Sequence, residues 1–147
     1  MKIGIASDHR GYKLKKEIIN NLKEFEFIDY GTTSDESVDY PDYGFLLGNK
    51  VAAKEVDLGV AICGSGIGIS IACNKVKNIR CAKVSSKEEA KITRIDNNSN
   101  IIALSSNTEI KDAIEYIKEF IETPFSNIER HQRRIDKITK YEESHEC

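Results

Sequence analysis

A chain of 147 residues with 39% apolar and 31% charged side chains has room for one domain and one ordinary core. Its formal net charge of −2, with lysines and arginines spread along helix-like stretches, excludes the broad basic face that polyanion binding needs, so no nucleic-acid partner is expected. The opening MKIGIASDHR has no signal-peptide core and no apolar run approaches the roughly 18 residues of a membrane span, which reads as a cytoplasmic protein with no membrane contact.

Strand-like apolar runs alternate with helical patterns along the whole chain. The first run, KIGIAS (2–7), precedes a helix in which Leu14, Ile18 and Leu22 recur every fourth residue with lysines between them, one apolar stripe on a 3.6-residue period. FEFIDY (25–30) is the second run, and Pro41 then opens a helix where its fixed φ and missing N–H do no harm. LGVAIC (58–63) leads into a third helix starting near Gly66. RCAKVS (80–85) leads into a fourth, capped by Ser85 or Ser86 and running through EEAKITRI. NIIALS (100–105) is the fifth strand, and the helix after Thr108 turns Ile110, Ile114, Ile117 and Ile121 inward. Beyond Pro124 a sixth helix spans about 127–141 with Ile128, Ile135 and Ile138; no strand follows it, so it is expected to pack on a partner subunit.

This alternation predicts βαβ units. LGVAIC and NIIALS are nearly continuous in apolar residues, as parallel strands covered on both faces are. The expected architecture is one α/β domain over 1–147, a three-layer α/β/α sandwich around a Rossmann-like, five-stranded parallel sheet. Cys63, Cys73, Cys81 and Cys147 make no CxxC pair and no histidine completes a zinc-ligand spacing, so reduced thiols and no metal are expected. Cys73 and Cys81 read as small apolar filler.

In open parallel sheets ligands sit beyond the carboxyl ends of the strands. The first strand leaves into Ser7, Asp8, His9, Arg10 and Gly11, and the third into Cys63, Gly64, Ser65, Gly66, Ile67 and Gly68. Glycines at 64, 66 and 68 let backbone approach a ligand, and the N–H groups opening the next helix favour an anion. The P-loop lysine is missing, GxGxG is not the dinucleotide spacing, and Ile69 stands where a CxxxxxR phosphatase needs arginine. A helix N-terminus lowers thiol pKa, so Cys63 is a candidate nucleophile or base. Acyl chemistry would want a histidine, for which His9 is the candidate, whereas proton abstraction beside a carbonyl needs only a base and donors for the enediolate oxygens. Arg130 and Arg134, at i and i+4 with His131 between them, present guanidinium forks suited to phosphate. His145 lies in the charged tail and is assigned no role.

With these residues assembled, the chain resembles the type B ribose-5-phosphate isomerases and their galactose-6-phosphate isomerase relatives. The resemblance is carried by SDHRGYKLK (7–15), DYPDYG (39–44), ICGSGIGISIACNK (62–75), NNSNIIAL (97–104) and RHQRRI (130–135). It implies aldose-ketose isomerisation of a sugar phosphate through a cis-enediolate, with no metal or organic cofactor. It implies Cys63 as the base, Gly64, Ser65, Gly66, Ile67 and Gly68 as the anion cradle, and a hydrogen bond from Ser65 to the thiol. Asp8 and His9 would contact sugar hydroxyls and the ring oxygen, Tyr40 would line the pocket with Asn97 and Asn107 at the substrate, and Arg130, His131 and Arg134 would hold the phosphate. A homodimer or tetramer with a site shared between subunits is implied as well.

Two positions depart from the family pattern. Asp96 stands where relatives carry a ring-opening histidine, and a carboxyl with an unperturbed pKa of about 3.9 is a poor acid at neutral pH unless its surroundings raise it, so ring opening is expected from His9, from a raised-pKa Asp96 as catalytic acid, or spontaneously in solution. Asn107 stands where relatives commonly have arginine. The expected activity is interconversion of ribose 5-phosphate and ribulose 5-phosphate. The alternatives are isomerisation of a six-carbon phosphate such as allose or galactose 6-phosphate, and a non-catalytic sugar-phosphate binder.

Overall fold

The computed structural model describes residues 1–145; Cys147 lies outside them. Five strands, β1 (Lys2–Ser7), β2 (Glu26–Asp29), β3 (Leu58–Cys63), β4 (Cys81–Lys83) and β5 (Ile101–Ser105), alternate with five helices, and a sixth closes the described chain. The helices are α1 (Tyr12–Asn21), α2 (Tyr40–Ala52), α3 (Ile67–Asn74), α4 (Lys87–Asn97), α5 (Ile110–Glu122) and α6 (Glu129–Ser144). Every strand pairing is parallel, in the order β2-β1-β3-β5-β4, which is the expected three-layer sandwich.

The two faces of the sheet differ in side-chain size. Ile3, Ile5, Val60, Ile62, Ile102 and Leu104 point to the side of α1, α4 and α5, where they meet Leu14, Ile18, Ala90, Ile117 and Phe120. The alternate positions, Ala6, Ala61 and Ala103, face α2 and α3 and pack against Leu47, Val51 and Ile69. Gly4 belongs to this second face: a Cβ there would sit 2.8 Å from Leu47 Cδ1, so small residues are what let α2 approach the strands. Each fully buried Ile or Leu on the larger face contributes roughly 1.5–3 kcal/mol.

Several predicted boundaries move, each for a local reason. FEFIDY and RCAKVS shorten to Glu26–Asp29 and Cys81–Lys83, because these are the two edge strands, paired on one side only. Ser86, not Ser85, caps α4: its Oγ accepts from Glu89 N at 3.1 Å, while Glu89 Oε1 accepts from Ser85 N and Ser85 Oγ, each at 2.8 Å. In α5 the fully buried stripe is Ala113, Ile117 and Phe120; Ile110, Ile114 and Ile121 flank it, partly buried. The sixth helix runs over Glu129–Ser144 and packs on α4 of its own chain, burying His131 and Ile135 while Ile138 stays 56% exposed.

One buried cation steadies the upper edge of the sheet. Lys15 of α1 is fully buried, and its Nζ donates to Asp29 Oδ1 at 2.7 Å and to Thr32 O at 2.6 Å. Thr32 N donates in turn to Ser7 O at 2.7 Å, so the β2 exit is tied to the β1 exit directly below the residues that follow.

Candidate active site

The chain runs from β1 outward to β2 and then returns across β1 to β3, so the exits of β1 and β3 flank the topological switch point. Ser7 pairs with Ile62, and Asp8 N donates to Ile62 O at 3.2 Å, which sets Asp8 and Cys63 at one level. Asp8 is buried, and its Oδ1 accepts from Arg10 N at 3.0 Å and Gly11 N at 3.1 Å, an Asx turn that leads into α1. His9 Nδ1 accepts from Val38 N at 3.2 Å. In neutral His9 the proton is therefore on Nε2, available as a donor.

Across the switch point, the β3–α3 turn is built on main chain. Cys63 is 4% exposed, and its Sγ accepts from Gly66 N at 3.2 Å. The hydrogen bond expected from Ser65 to the thiol is therefore supplied by Gly66 instead. Ser65 Oγ accepts from Ile67 N at 3.1 Å. Gly66 has φ +78°, and a Cβ there would lie 2.8 Å from the Leu104 carbonyl carbon, so only glycine turns the chain here without strain. Ser105 Oγ donates to Gly64 O at 2.7 Å and Ser106 N to Cys63 O at 2.9 Å, which fastens the turn to β5. Above it, the first-turn N–H groups of α3 have no carbonyl in their own helix and form its positive end.

These two exits and the start of α2 enclose an open cleft of about 820 Å³. Of the expected site residues, Asp8, His9, Tyr40, Cys63, Gly64, Ser65, Ile67 and Gly68 line it, and Gly66 stands directly behind. Tyr40 packs against the cradle: a Cβ on Gly68 would fall 2.6 Å from its ring. Sequence reading missed Arg10, Asp39 and Asp42, which also line the cleft. Arg10 could have been found from its place in the same exit loop as Asp8 and His9, whereas the two aspartates needed the path of the loop into α2.

The remaining expected residues lie elsewhere in the protomer and do not line this cleft. Asp96 is on α4 and His131 on α6; His131 is 8% exposed, with Nε2 3.5 Å from Asp96 Oδ1 and Nδ1 2.8 Å from Ser126 Oγ. Asn97 O accepts from Arg80 Nε at 2.8 Å, and Asn107 N donates to Ser105 Oγ at 3.1 Å. Arg130 and Arg134 stand exposed on the first turns of α6. The one constellation assembled from sequence is divided in the folded protomer: Asp96 and His131 meet where α6 packs on α4, and Asn107 stands at the β5 exit beside the Ser105 that holds the Gly64 turn.

The sequence model of the family described as Ribose/Galactose Isomerase matches residues 3–138. Among curated relatives, the ribose-5-phosphate isomerase B of Mycobacterium tuberculosis is 37% identical, the alignment covering 100% of this chain and 93% of the relative. The solved ribose-5-phosphate isomerase B of Clostridium thermocellum superimposes with a TM-score of 0.95 at 42% identity, over 99% of this chain and 100% of that one. That of Mycoplasma genitalium, solved with bound ribulose 5-phosphate, superimposes with a TM-score of 0.90 at 42% identity, over 97% of this chain and 96% of that one.

Proposed function

Because this chain belongs to the ribose/galactose isomerase family, we propose that it interconverts ribose 5-phosphate and ribulose 5-phosphate. The observation that carries the chemistry is Cys63, a thiol at the floor of the cleft whose sulfur takes a main-chain N–H at the head of a helix. Ionised, its Sγ removes the C2 proton of the open-chain aldose. The electron pair forms the C1–C2 double bond and the C1 oxygen takes the negative charge, which the first-turn amides of α3 stabilise. One proton passes from the C2 oxygen to the C1 oxygen. The thiol then returns its proton to C1, and the carbonyl stands at C2.

Ring opening is assigned to His9, which lines the cleft and in its neutral form keeps Nε2–H as the free donor because Nδ1 accepts from Val38 N. Asp96 is assigned to its contact with His131 instead. Asp8 offers its second carboxylate oxygen to sugar hydroxyls, and Tyr40 walls the side of the site. A homodimer is part of this reading: Ile67 and Ile71 are each 56% exposed and line the cleft together with exposed Tyr40, and Ile138 is exposed on α6. A second copy covering this rim is what would bring Arg130 and Arg134 to a substrate phosphate.

The test is ketose formation from ribose 5-phosphate by the purified protein, with allose and galactose 6-phosphates in parallel, repeated with Cys63→Ala. Turnover of the pentose, lost in the variant with binding kept, is the expected result. Binding without turnover, or turnover of hexose phosphates alone, would overturn it.

A further inference from the structure

The β3–α3 turn leaves strand geometry at one peptide, and a side chain from β5 holds it there. Along a strand, successive carbonyls point alternately to the two neighbouring strands. Ile62 O faces β1, where it accepts from Asp8 N at 3.2 Å, and Cys63 O faces β5, where it accepts from Ser106 N at 2.9 Å. Alternation would turn Gly64 O back toward β1 and the cleft. It faces β5 instead, accepting from Ser105 Oγ at 2.7 Å. The Ser105 hydroxyl is itself oriented, because Oγ accepts from Asn107 N at 3.1 Å.

The 63–64 and 64–65 peptides are both trans, and in a trans peptide the C=O and N–H point opposite ways. With both carbonyls turned to β5, the N–H groups of Gly64 and Ser65 are turned toward the β1 side, where the cleft that both residues line opens. Among the described residues neither N–H has a hydrogen-bond partner. Adjacent unpaired donors beside Cys63 suit the negative oxygen of an enediolate and add to the first-turn amides of α3. A flipped 64–65 peptide would present its carbonyl oxygen there instead and repel that charge. The Ser106 hydroxyl, 3.4 Å from Gly64 O, is the weaker of the two donors opposing the flip.

We infer that Ser105 is a positioning residue for catalysis: outside the cleft lining, it locks the 64–65 peptide with its N–H toward the reacting oxygens. The inference rests on the isomerase reading for the reaction it serves, and its geometric part is read without turnover. Full-length wild type, Ser105→Ala and Ser105→Thr are compared by ribose 5-phosphate kinetics and by amide NMR shifts on titration with glycolohydroxamate, an enediolate analogue that carries no phosphate. Ser105→Ala is expected to lower kcat by about ten- to a hundredfold, less than the roughly 10²–10³-fold for deleting an oxyanion donor, because the peptide still visits the productive orientation. KM should change by less than about twofold, the split expected for an interaction made in the transition state. Ser105→Thr keeps the hydroxyl and recovers most of the loss. The Ser65 amide should shift in the wild type and far less in Ser105→Ala. Equal losses in the two variants, or a rise in KM with kcat unchanged, overturn the inference, because position 105 then acts through packing or substrate binding. A Ser65 amide that is unmoved in the wild type, or that moves alike in Ser105→Ala, overturns it too. A wild type that leaves ribose 5-phosphate unchanged, yet shows the hydroxyl-dependent Ser65 shift, sinks the isomerase reading alone.

Discussion

The β1 and β3 exits and the α4–α6 corner both hold histidine, carboxylate and hydroxyl groups, and they are bonded in opposite ways. At the exits the chemical groups are held by backbone: Cys63 Sγ by Gly66 N, His9 Nδ1 by Val38 N, Asp8 Oδ1 by the N–H groups of Arg10 and Gly11. All three residues line the cleft, and among the described residues each keeps a second atom or lone pair with no hydrogen bond. At the corner, side chains use one another up. His131 spends both ring nitrogens on side chains, Nδ1 on Ser126 Oγ and Nε2 on Asp96 Oδ1. A group fastened by main chain on one side remains available for chemistry, whereas a group closed on both sides by side chains mostly holds the fold together.

The largest expected consequence of this contrast is at Cys63. Cys63→Ala should lower kcat/KM for ribose 5-phosphate by about 10²–10⁴-fold, the range for removing a positioned acid or base, with phosphate binding retained. Solvent deuterium incorporation at C2 of the sugar reads the same step and should fall in proportion. Exchange that continues undiminished in the variant removes Cys63 from the chemistry.

Gly66→Ala comes next, because it attacks the backbone that holds the sulfur rather than the sulfur itself. The new methyl would meet the Leu104 carbonyl at 2.8 Å from a residue with φ +78°. Destabilisation by about 1–3 kcal/mol is expected, read in chemical denaturation, together with a loss of kcat. A variant that keeps full activity would mean that the Gly66 N–H is not needed on the thiol.

Much of the first region was legible in the sequence, and little of the second. A strand exit, alternating glycines and a cysteine are local signals, and chain order plus parallel pairing suffice to put Asp8 beside Cys63. Asp96 and His131, by contrast, meet only because α6 folds back on α4, and no local pattern encodes a contact between residues so far apart in sequence. Arg10 shares the exit loop of Asp8 and His9 and was within reach of the same signal; only its packing against Gly64 needed the fold. The edge strands were overdrawn because residues such as Arg80 have the right composition but bond elsewhere, Arg80 N to Asn100 Oδ1.

At the corner, Asp96→Asn is expected to leave turnover of ribose 5-phosphate within about twofold while costing about 1 kcal/mol of stability, the size of one hydrogen-bonded contact. Steady-state kinetics on cyclic substrate and urea denaturation read the two quantities separately. A fall in turnover of cyclic sugar, with stability unchanged, would place Asp96 in ring opening through a neighbouring copy and erase the distinction drawn between the regions.

The smallest effect belongs to the other end of α4, where the bonding is local and remote from the cleft. Ser86→Ala removes the acceptor for Glu89 N and should cost about 1 kcal/mol with kcat/KM unchanged. Glu89 adds a pH signature. The Ser85 N–H and hydroxyl bonded to its carboxylate hold its pKa below the ordinary 4.5. Its folded-state pKa being the lower one, the unfolded chain takes up the proton first as acid is added. The stabilisation is therefore complete above about pH 5.5, a unit above the ordinary value, and disappears as pH falls through the lowered one. The difference in unfolding free energy between wild type and Glu89→Gln should be present at pH 7 and shrink steadily below pH 4.5. A difference that stays constant across that range would mean that the charge of the carboxylate contributes nothing there.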